Sequence, residues 1–466
     1  MRVALIYVPY KPHTVFSENI PVVDENFCLG PPIILAYVAA VIERAGHTVT
    51  LIDAHALSLS REETLARLRE FKPEVLGFRF ETYHFHETLA WAAYFKKMLR
   101  VPVIGGGINI TLYPFESMSH GAIDYGIAGE AIVPLPQLLD ALEKGKDVSH
   151  IPGLLYRVKA QPVLNPPSET CIDFNEYPFP ARHLLPNEKY SSFVSQRKNY
   201  TILLSSVGCP FKCTFCVISK IPYRKRDPLN VVDEIEKCYR DNGVREIDFF
   251  DGALFVDKER IIRMAREIRR RKIDIYWSCR SRVDLVNEEL LDEVSRSGCK
   301  RIFYGIESAD DSMLKNIRKE ITLDQIEQTI EMTRSFGIQP LGFFMIGNPG
   351  ETKKTVEKSI AFAKKLRLSY VQVCRTIAKP RTGLDDELVR EGGTDYWSEY
   401  IRDASKARRL PTPWTGLTPA EQERYTKKFY RSFYMRPAVV FERLRNLKSF
   451  SELVRYVKVA VKVLMS

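Results

Sequence analysis

The stretch Gly208-Cys209-Pro210-Phe211-Lys212-Cys213-Thr214-Phe215-Cys216 spaces three cysteines as C-x3-C-x2-C. It follows the apolar, β-prone run Tyr200–Leu204, so the cysteines are predicted on the loop that leaves a strand. Three thiolates fill three of the four iron corners of a [4Fe–4S] cluster and leave one iron open. Scattered core thiols or a zinc site are the alternatives, but zinc favours four ligands in paired knuckles, and no second Cys or His pair follows. The motif therefore predicts an iron–sulfur cluster on Cys209, Cys213 and Cys216.

Around this motif, residues 199–384 alternate short strands with helices six times. Such alternation predicts a parallel sheet with crossover helices. Six units fall short of the eight in a closed barrel, so we expect a partial (β/α)6 barrel with its functional residues at the carboxyl ends of the strands. The predicted strands are Thr201–Ser205, Glu246–Phe250, Ile273–Cys279, Arg301–Ile306, Gln339–Ile346 and Tyr370–Thr376.

Four further motifs stand at the ends of these predicted strands. They are Phe249–Gly252, Trp277–Arg282, Gly305–Ser308 and Gly342–Thr352. A turn or a surface ion pair would explain each motif alone, but their order and their shared position at strand ends make coincidence improbable. With the cysteine run, they make this segment resemble the radical S-adenosylmethionine (SAM) superfamily.

The resemblance implies a chemistry and a set of contacts. In that superfamily the open iron chelates the amino and carboxylate groups of SAM, and an electron from the cluster cleaves SAM to a 5′-deoxyadenosyl radical. An external one-electron donor of the flavodoxin or ferredoxin type is implied, and no general base is evident. Asp251 would hold the amino group, and an arginine after the third strand would pair with the carboxylate. The implied SAM contacts are Asp251, Ser278, Arg280, Arg282, Glu307 and Met345.

Residues 1–145 also alternate strand and helix, which predicts a Rossmann-like domain. Ligands of such sheets bind at the carboxyl ends of the strands. Two loops at that end, Gly105–Asn109 and Ala128–Glu130, are suited to close approach of a bulky ligand, because glycine has no side chain. A tight structural turn explains a glycine triplet about as well.

The same segment resembles the cobalamin-binding domains that precede many radical SAM barrels. The matching runs are Gly30–Pro32, Ala45–Asp53, the glycine triplet and Gly129-Glu130. The resemblance implies a corrinoid site, although some members keep the fold and lose the cofactor. Its implied contacts are Gly105, Gly106, Gly107, Gly129 and Glu130.

One histidine in this domain invites comparison with a cobalt ligand. Asp53–Ser58 is similar to the D-x-H-x-x-G motif of corrinoid mutases and methyltransferases. Ser58 replaces the glycine, and the run follows the second strand where the family motif follows the first. These departures favour a surface loop role for His55.

Two segments lie outside the two α/β regions. Residues 146–198 contain seven prolines and are predicted to form an extended connector. Residues 385–466 are predicted to be helical and basic, since residues 421–466 carry 11 Lys and Arg against 4 Asp and Glu. The apolar stripe of Ser451–Met465 fits a helix docked on the barrel or an interfacial membrane contact.

These features together predict a radical SAM enzyme that C-methylates a small molecule, with a cyclase or C–C coupling enzyme of porphyrins or lipids as the alternative. The net charge of +11 and the basic tail suggest an anionic substrate or surface, and the tail resembles that of anaerobic porphyrin-ester cyclases, which implies a large apolar substrate. A methylthiotransferase of nucleic acid is disfavoured because the front region lacks further cluster cysteines, and a sensor is disfavoured by the many SAM motifs. Nine cysteines without a signal peptide indicate the cytoplasm, with peripheral membrane contact through the tail as an option.

Overall fold

A computed structural model describes residues 1–9, 28–168 and 172–437. The predicted helix Ser451–Met465 lies outside these residues. The described chain forms two compact units: the first holds residues 1–9, 29–190 and 388–409, and the second holds residues 191–387 and 410–437. The segment 385–466, which the sequence analysis treats as one C-terminal region, thus contributes to both units. Among the described helices, none combines the length and apolar character needed to cross a bilayer.

The first unit is built on a seven-stranded sheet. The strands are β1 Arg2–Tyr7, β2 Thr48–Asp53, β3 Val75–Arg79, β4 Val103–Gly106, β5 Tyr125–Ile127, β6 Leu154–Val158 and β7 Gln161–Leu164. Their order in the sheet is β2-β1-β3-β4-β5-β6-β7; the first five strands are parallel, and β6 and β7 are antiparallel additions. The strand order reverses at β1, and such a switch point marks the ligand-binding edge of a doubly wound sheet.

The helices of this unit connect the parallel strands and cover the sheet. They are Ile33–Arg44, Arg61–Phe71, Phe85–Leu99, Ile108–Leu112, Pro114–Met118 and Pro134–Lys144. A later helix, Tyr396–Arg402, belongs to the same unit: the His86 Nε2 atom lies 2.6 Å from the Tyr400 carbonyl, and the His120 Nε2 atom lies 2.7 Å from the Ile401 carbonyl. The two imidazoles thus satisfy carbonyls at the end of that helix.

The second unit is built on a six-stranded parallel sheet in simple sequential order, as the sequence predicts. The predicted third strand began too early: Lys272 takes a left-handed conformation and the Ile275 amide closes a turn on Ile273, so the strand starts at Tyr276. The strands are β8 Tyr200–Leu203, β9 Glu246–Phe249, β10 Tyr276–Ser281, β11 Cys299–Glu307, β12 Gln339–Ile346 and β13 Tyr370–Arg375.

Helices with side-chain N-caps cross between these strands. The helices are Pro228–Asp241, Lys258–Arg270, Glu288–Arg296, Asp311–Asn316, Leu323–Ser335 and Lys353–Lys365, followed by Gly383–Gly392 and Pro419–Tyr434. The last helix protects the edge strand β13, because the Tyr430 hydroxyl bonds both the amide (2.9 Å) and the carbonyl (3.2 Å) of Val373.

Inside the half-barrel, an apolar cluster fills the concave face of the sheet. It comprises Phe193, Val194, Phe303, Leu341 and Tyr370. The alternate residues of the same strands pack against the outer helices, so each strand is buried on both faces. Several buried polar side chains, among them Asp251, Arg282 and Glu307, lie at the carboxyl ends of the strands, where the cysteine loop begins.

Candidate functional site

The cysteine loop leaves β8 through a conformation that requires glycine. Gly208 has a φ of +72°, and a Cβ at this position would lie 2.3 Å from the Pro222 carbonyl oxygen. The next residue, Cys209, donates its amide to the Ile221 carbonyl at 3.3 Å. The first cysteine is thus fixed by backbone contacts that a side chain at Gly208 would break.

The second half of the loop is held by two further backbone bonds. The Thr214 amide donates to the Ile317 carbonyl at 3.2 Å, and the Leu384 amide donates to the Thr214 carbonyl at 3.2 Å. Thr214, which lies between Cys213 and Cys216, is therefore hydrogen-bonded both to the connection after the fourth strand and to the segment after the sixth strand.

The three thiols share one electrostatic environment. Burial raises the pKa of Cys209, Cys213 and Cys216, and each thiol also interacts electrostatically with another of the three. Lys319 opposes the rise in pKa at all three thiols, and Arg282 opposes it at Cys209 and Cys213. These cations favour thiolates, which are the form that binds iron.

The donor set fits a [4Fe–4S] cluster, in which each cysteine binds a different iron. Within residues 1–9, 28–168 and 172–437, no three His, Cys, Asp or Glu side chains are grouped to hold a single metal ion.

The fourth strand ends in a strained residue beside this loop. Glu307 has a φ of +67°, in the left-handed region that an L side chain rarely adopts. Its carboxylate lies 3.0 Å from the Lys319 ammonium, and both side chains are buried. Strain of this kind persists where the surroundings fix it and is concentrated at functional sites.

Of the two arginines predicted to contact SAM at the end of the third strand, Arg280 is paired within the protein. Both terminal nitrogens of Arg280 donate to Asp248 at 3.0 Å, and Nη1 also donates to the Phe249 carbonyl. The Ser278 hydroxyl donates to Asp248 at 2.9 Å. Arg280 and Ser278 thus share one acceptor, the carboxylate of Asp248, which was not among the residues predicted from the sequence.

Arg282 has a donor to spare. Its Nε and Nη2 atoms pair with Asp284, and its guanidinium stacks on the Phe211 ring inside the cysteine motif at 3.9 Å. Nη1 is buried and has no hydrogen-bond partner among the described residues. A buried donor without a partner is costly, so this atom is the better candidate for an anionic ligand such as the SAM carboxylate.

Asp251 is the most enclosed of the predicted contacts. Its carboxylate accepts hydrogen bonds from the Ser205 amide (2.9 Å), the Ser205 hydroxyl (2.7 Å) and the Ser206 hydroxyl (2.5 Å). Burial raises its pKa. Ser205 and Ser206 lie just before Gly208, so these hydrogen bonds hold the start of the cysteine loop. In this structure the Asp251 carboxylate therefore binds the protein's own backbone and side chains.

The fifth-strand motif places Met345 in register with Cys374 of the sixth strand. Burial raises the pKa of the Cys374 thiol to about 11. In the turn that follows, Glu351 accepts the amides of Gly347 and Asn348, yet burial raises the pKa of its carboxyl to about 7.

In the first unit, the two predicted glycine loops are joined by one hydroxyl. Thr111 Oγ1 donates to the Gly107 carbonyl at 3.2 Å and accepts the Gly129 amide at 2.9 Å. A Cβ on Gly106 or Gly129 would meet no atom within 4 Å, so both glycines border open space. The loops therefore fit a bulky ligand that approaches the backbone closely, as a corrinoid would.

The other predicted contacts of this unit have structural partners. Gly107 has a φ of +98°, and a Cβ there would lie 2.9 Å from the Phe80 carbonyl, while a Cβ on Gly105 would crowd the Phe80 ring at 3.1 Å. The Tyr177 hydroxyl donates to the Glu130 carboxylate at 2.5 Å. His55 is half-buried, with its ring centroid 6.2 Å from that of Tyr7.

Two family models match the chain in the corresponding segments. The radical SAM superfamily model matches residues 203–363, and the B12 binding domain model matches residues 23–139. An uncharacterised methyltransferase of Pyrococcus horikoshii is 31% identical over 423 residues, covering 89% of this chain and 90% of the relative. The anaerobic magnesium-protoporphyrin IX monomethyl ester cyclase of Rubrivivax gelatinosus is 28% identical over 345 residues, covering 72% of this chain and 62% of the cyclase.

A solved structure shares the fold. The radical SAM methyltransferase TsrM from Kitasatospora setae, determined with cobalamin and a [4Fe–4S] cluster bound, superposes with a TM-score of 0.69 at 19% identity, over 94% of this chain and 89% of that one. The chain therefore belongs to the radical SAM superfamily, in the group that carries an N-terminal B12-binding domain. It is an enzyme whose cofactors are a [4Fe–4S] cluster, SAM and cobalamin, and it acts with an external electron donor.

Proposed function

We propose that this chain is a cobalamin-dependent radical SAM methyltransferase that methylates an unactivated carbon of a small molecule. The observation that carries the proposal is the presence, in one chain, of an anchored cysteine loop and of front-sheet loops that border open space at Gly106 and Gly129. When bound, the cluster and SAM supply a radical that abstracts hydrogen, and the corrinoid supplies the methyl group. The name of the Pyrococcus horikoshii relative supports the same reading.

The side chains of the half-barrel would bind, orient and exclude water. Arg282 would donate its spare Nη1 to the SAM carboxylate, and Glu307 would accept from the SAM amino group. The apolar cluster around Phe303 would help to keep water from a reactive radical. No proton transfer by the chain is required.

The charge around the sixth strand bears on the substrate. Lys379 acts electrostatically on Cys216, and Arg381 follows it in a left-handed conformation. These cations favour an anionic substrate, and the basic segment 421–466 is consistent with an anionic lipid surface nearby. A large apolar substrate with a negatively charged group satisfies both features.

Ring formation on a porphyrin or lipid is the second candidate. It is favoured by the similarity to the Rubrivivax gelatinosus cyclase, of whose length the chain covers 62%. Such a reaction would leave no methyl group from SAM on the product.

The decisive experiment uses the full chain, purified without oxygen and supplied with iron, sulfide and hydroxocobalamin. We expect about four irons and one cobalt per chain. SAM with a deuterated methyl group should then transfer its label to a carbon of the substrate, as measured by mass spectrometry. Full iron without retained cobalt would overturn methyl transfer through cobalamin, and 5′-deoxyadenosine formed with an unlabelled, ring-closed product would favour the cyclase.

A further inference from the structure

The cysteine loop lies beside a buried ion pair whose cation has no assigned role. Lys319 and Glu307 are each about 6% exposed, and their charged atoms lie 3.0 Å apart. Lysine is almost never buried this deeply without a partner. Among the described residues, the Glu307 carboxylate is the one hydrogen-bond partner recorded for the ammonium.

The pair occupies the space that a side chain at Gly305 would need. A Cβ on Gly305 would lie 2.4 Å from the Glu307 carboxylate and 2.5 Å from the Lys319 nitrogen. The register of β11 against β12 shifts between Gly305 and Glu307, and Glu307 takes its left-handed φ there. The irregular strand end and the missing side chain thus create the room in which the ion pair forms.

The loop that carries Lys319 is also attached to the cysteine loop. Ile317, two residues earlier, accepts the Thr214 amide between the second and third cysteines, and the Lys319 amide donates to the Leu314 carbonyl. The backbone that carries Lys319 is therefore tied to the loop that carries the thiols, and the ion pair with Glu307 holds the ammonium.

A fixed cation at this place has a definite electrostatic effect. In a low-dielectric site, a positive charge stabilises a nearby group that gains an electron, and a negative charge destabilises it. Lys319 lies close enough to all three thiols to interact with them electrostatically, and Glu307 is likewise close to Cys213.

We propose that Lys319 is a positioning residue that holds Glu307 in its strained conformation and places a fixed positive charge beside the cluster. The two side chains then act on the midpoint potential in opposite directions, and the pair sets how readily the cluster accepts one electron from the external donor. This inference goes beyond methyl transfer, because it concerns the cluster whether or not the enzyme methylates.

The test is an anaerobic redox titration with dithionite, followed by electron paramagnetic resonance, on reconstituted full-length enzyme without SAM. Lys319→Met should lower the midpoint potential of the cluster, and Glu307→Gln should raise it. The double variant should return towards the wild-type value, because the pair is neutral in both proteins. Lys319→Arg should keep the wild-type potential, and so should Lys315→Met, the matched control at an exposed lysine of the preceding helix.

A merely structural role would not give shifts of opposite sign. If both single variants move the potential in the same direction, or neither moves it, the proposal is wrong. If Lys319→Met loses its iron, the decision falls to the other two variants: a raised potential in Glu307→Gln with a wild-type value in Lys319→Arg supports the proposal, and an unchanged Glu307→Gln overturns it.

Discussion

The carboxyl end of the half-barrel and the glycine loops of the front sheet are the two proposed cofactor sites, and they are built from different chemistry. At the half-barrel, charged side chains are paired with opposite charges: the half-buried Arg280 with Asp248, and the buried Lys319 with Glu307. At the front sheet, Gly106 and Gly129 offer backbone and open space, and one hydroxyl of Thr111 joins the loops.

The difference follows from what each ligand needs. A cluster and a zwitterionic amino acid carry charges that only fixed counter-charges hold in a dry site. A corrinoid is bulky, and glycine residues, which have no side chain, allow it to approach the backbone closely. Substitutions at the half-barrel should therefore leave uncompensated charges, whereas those at the front loops should change fit and loop order.

The largest effect is expected from removing a cluster ligand. Cys213→Ala should abolish iron binding and SAM cleavage, because three thiolates are already the minimum for a site-open cluster. Cobalamin binding should persist, since the front loops lie in the other unit. Iron and cobalt analysis measure both, and Cys238→Ala, a buried core thiol, is the control that should keep its iron. Iron retained by Cys213→Ala would contradict the assignment.

Next comes the spare donor of Arg282. Arg282→Gln should weaken SAM binding about 30-fold, about 2 kcal/mol, the usual value of a hydrogen bond to a charged group. Anaerobic calorimetry with SAM on the reconstituted enzyme measures this change. Arg296→Gln, at an exposed arginine, should bind as wild type. Unchanged affinity in Arg282→Gln would show that Nη1 does not meet SAM.

Within the half-barrel, Glu351 extends the comparison because it is a buried carboxylate with no cationic partner among the described residues. Its carboxyl pKa is raised from 4.5 to about 7 by burial, so its folded state prefers the protonated form. The stability that this group contributes is present below pH 4.5 and is lost as pH rises through 7. Between pH 5.5 and 7 the wild type should lose about 1.5 kcal/mol relative to Glu351→Gln. Urea denaturation at the two pH values measures the difference, and parallel curves would refute it.

Much of this organisation could be predicted from the sequence, because it rests on local patterns. The C-x3-C-x2-C run and the strand–helix alternation fix the sheet order and the edge where the site lies. The start of β10 was misplaced because a left-handed Lys272 and a turn interrupt an otherwise β-prone run.

The pairing of side chains could not be predicted, since it depends on neighbouring strands. Alternation places Ser278 and Arg280 on one face, but it does not show that Asp248 of the adjacent strand would take both. The sequence contains one weak indication that Lys319 is buried: it alternates with Ile317 and Ile321, which are both buried. For Thr111, the sequence indicates only that it follows the glycine triplet closely.

The smallest effect is expected at that threonine, and it tests the front half of the comparison directly. Thr111→Val removes one donated and one accepted hydrogen bond while keeping the shape of the side chain. The glycine loops would lose their shared tie, and hydroxocobalamin should bind about fivefold more weakly, about 1 kcal/mol. Spectrophotometric titration measures the affinity, and Thr111→Ser, which keeps the hydroxyl, should bind as wild type. Iron content should be unchanged in both variants, because the cysteine loop belongs to the other unit. Equal affinity in all three proteins would mean that the loops hold their shape without Thr111, and that open space alone distinguishes this site from the charged one.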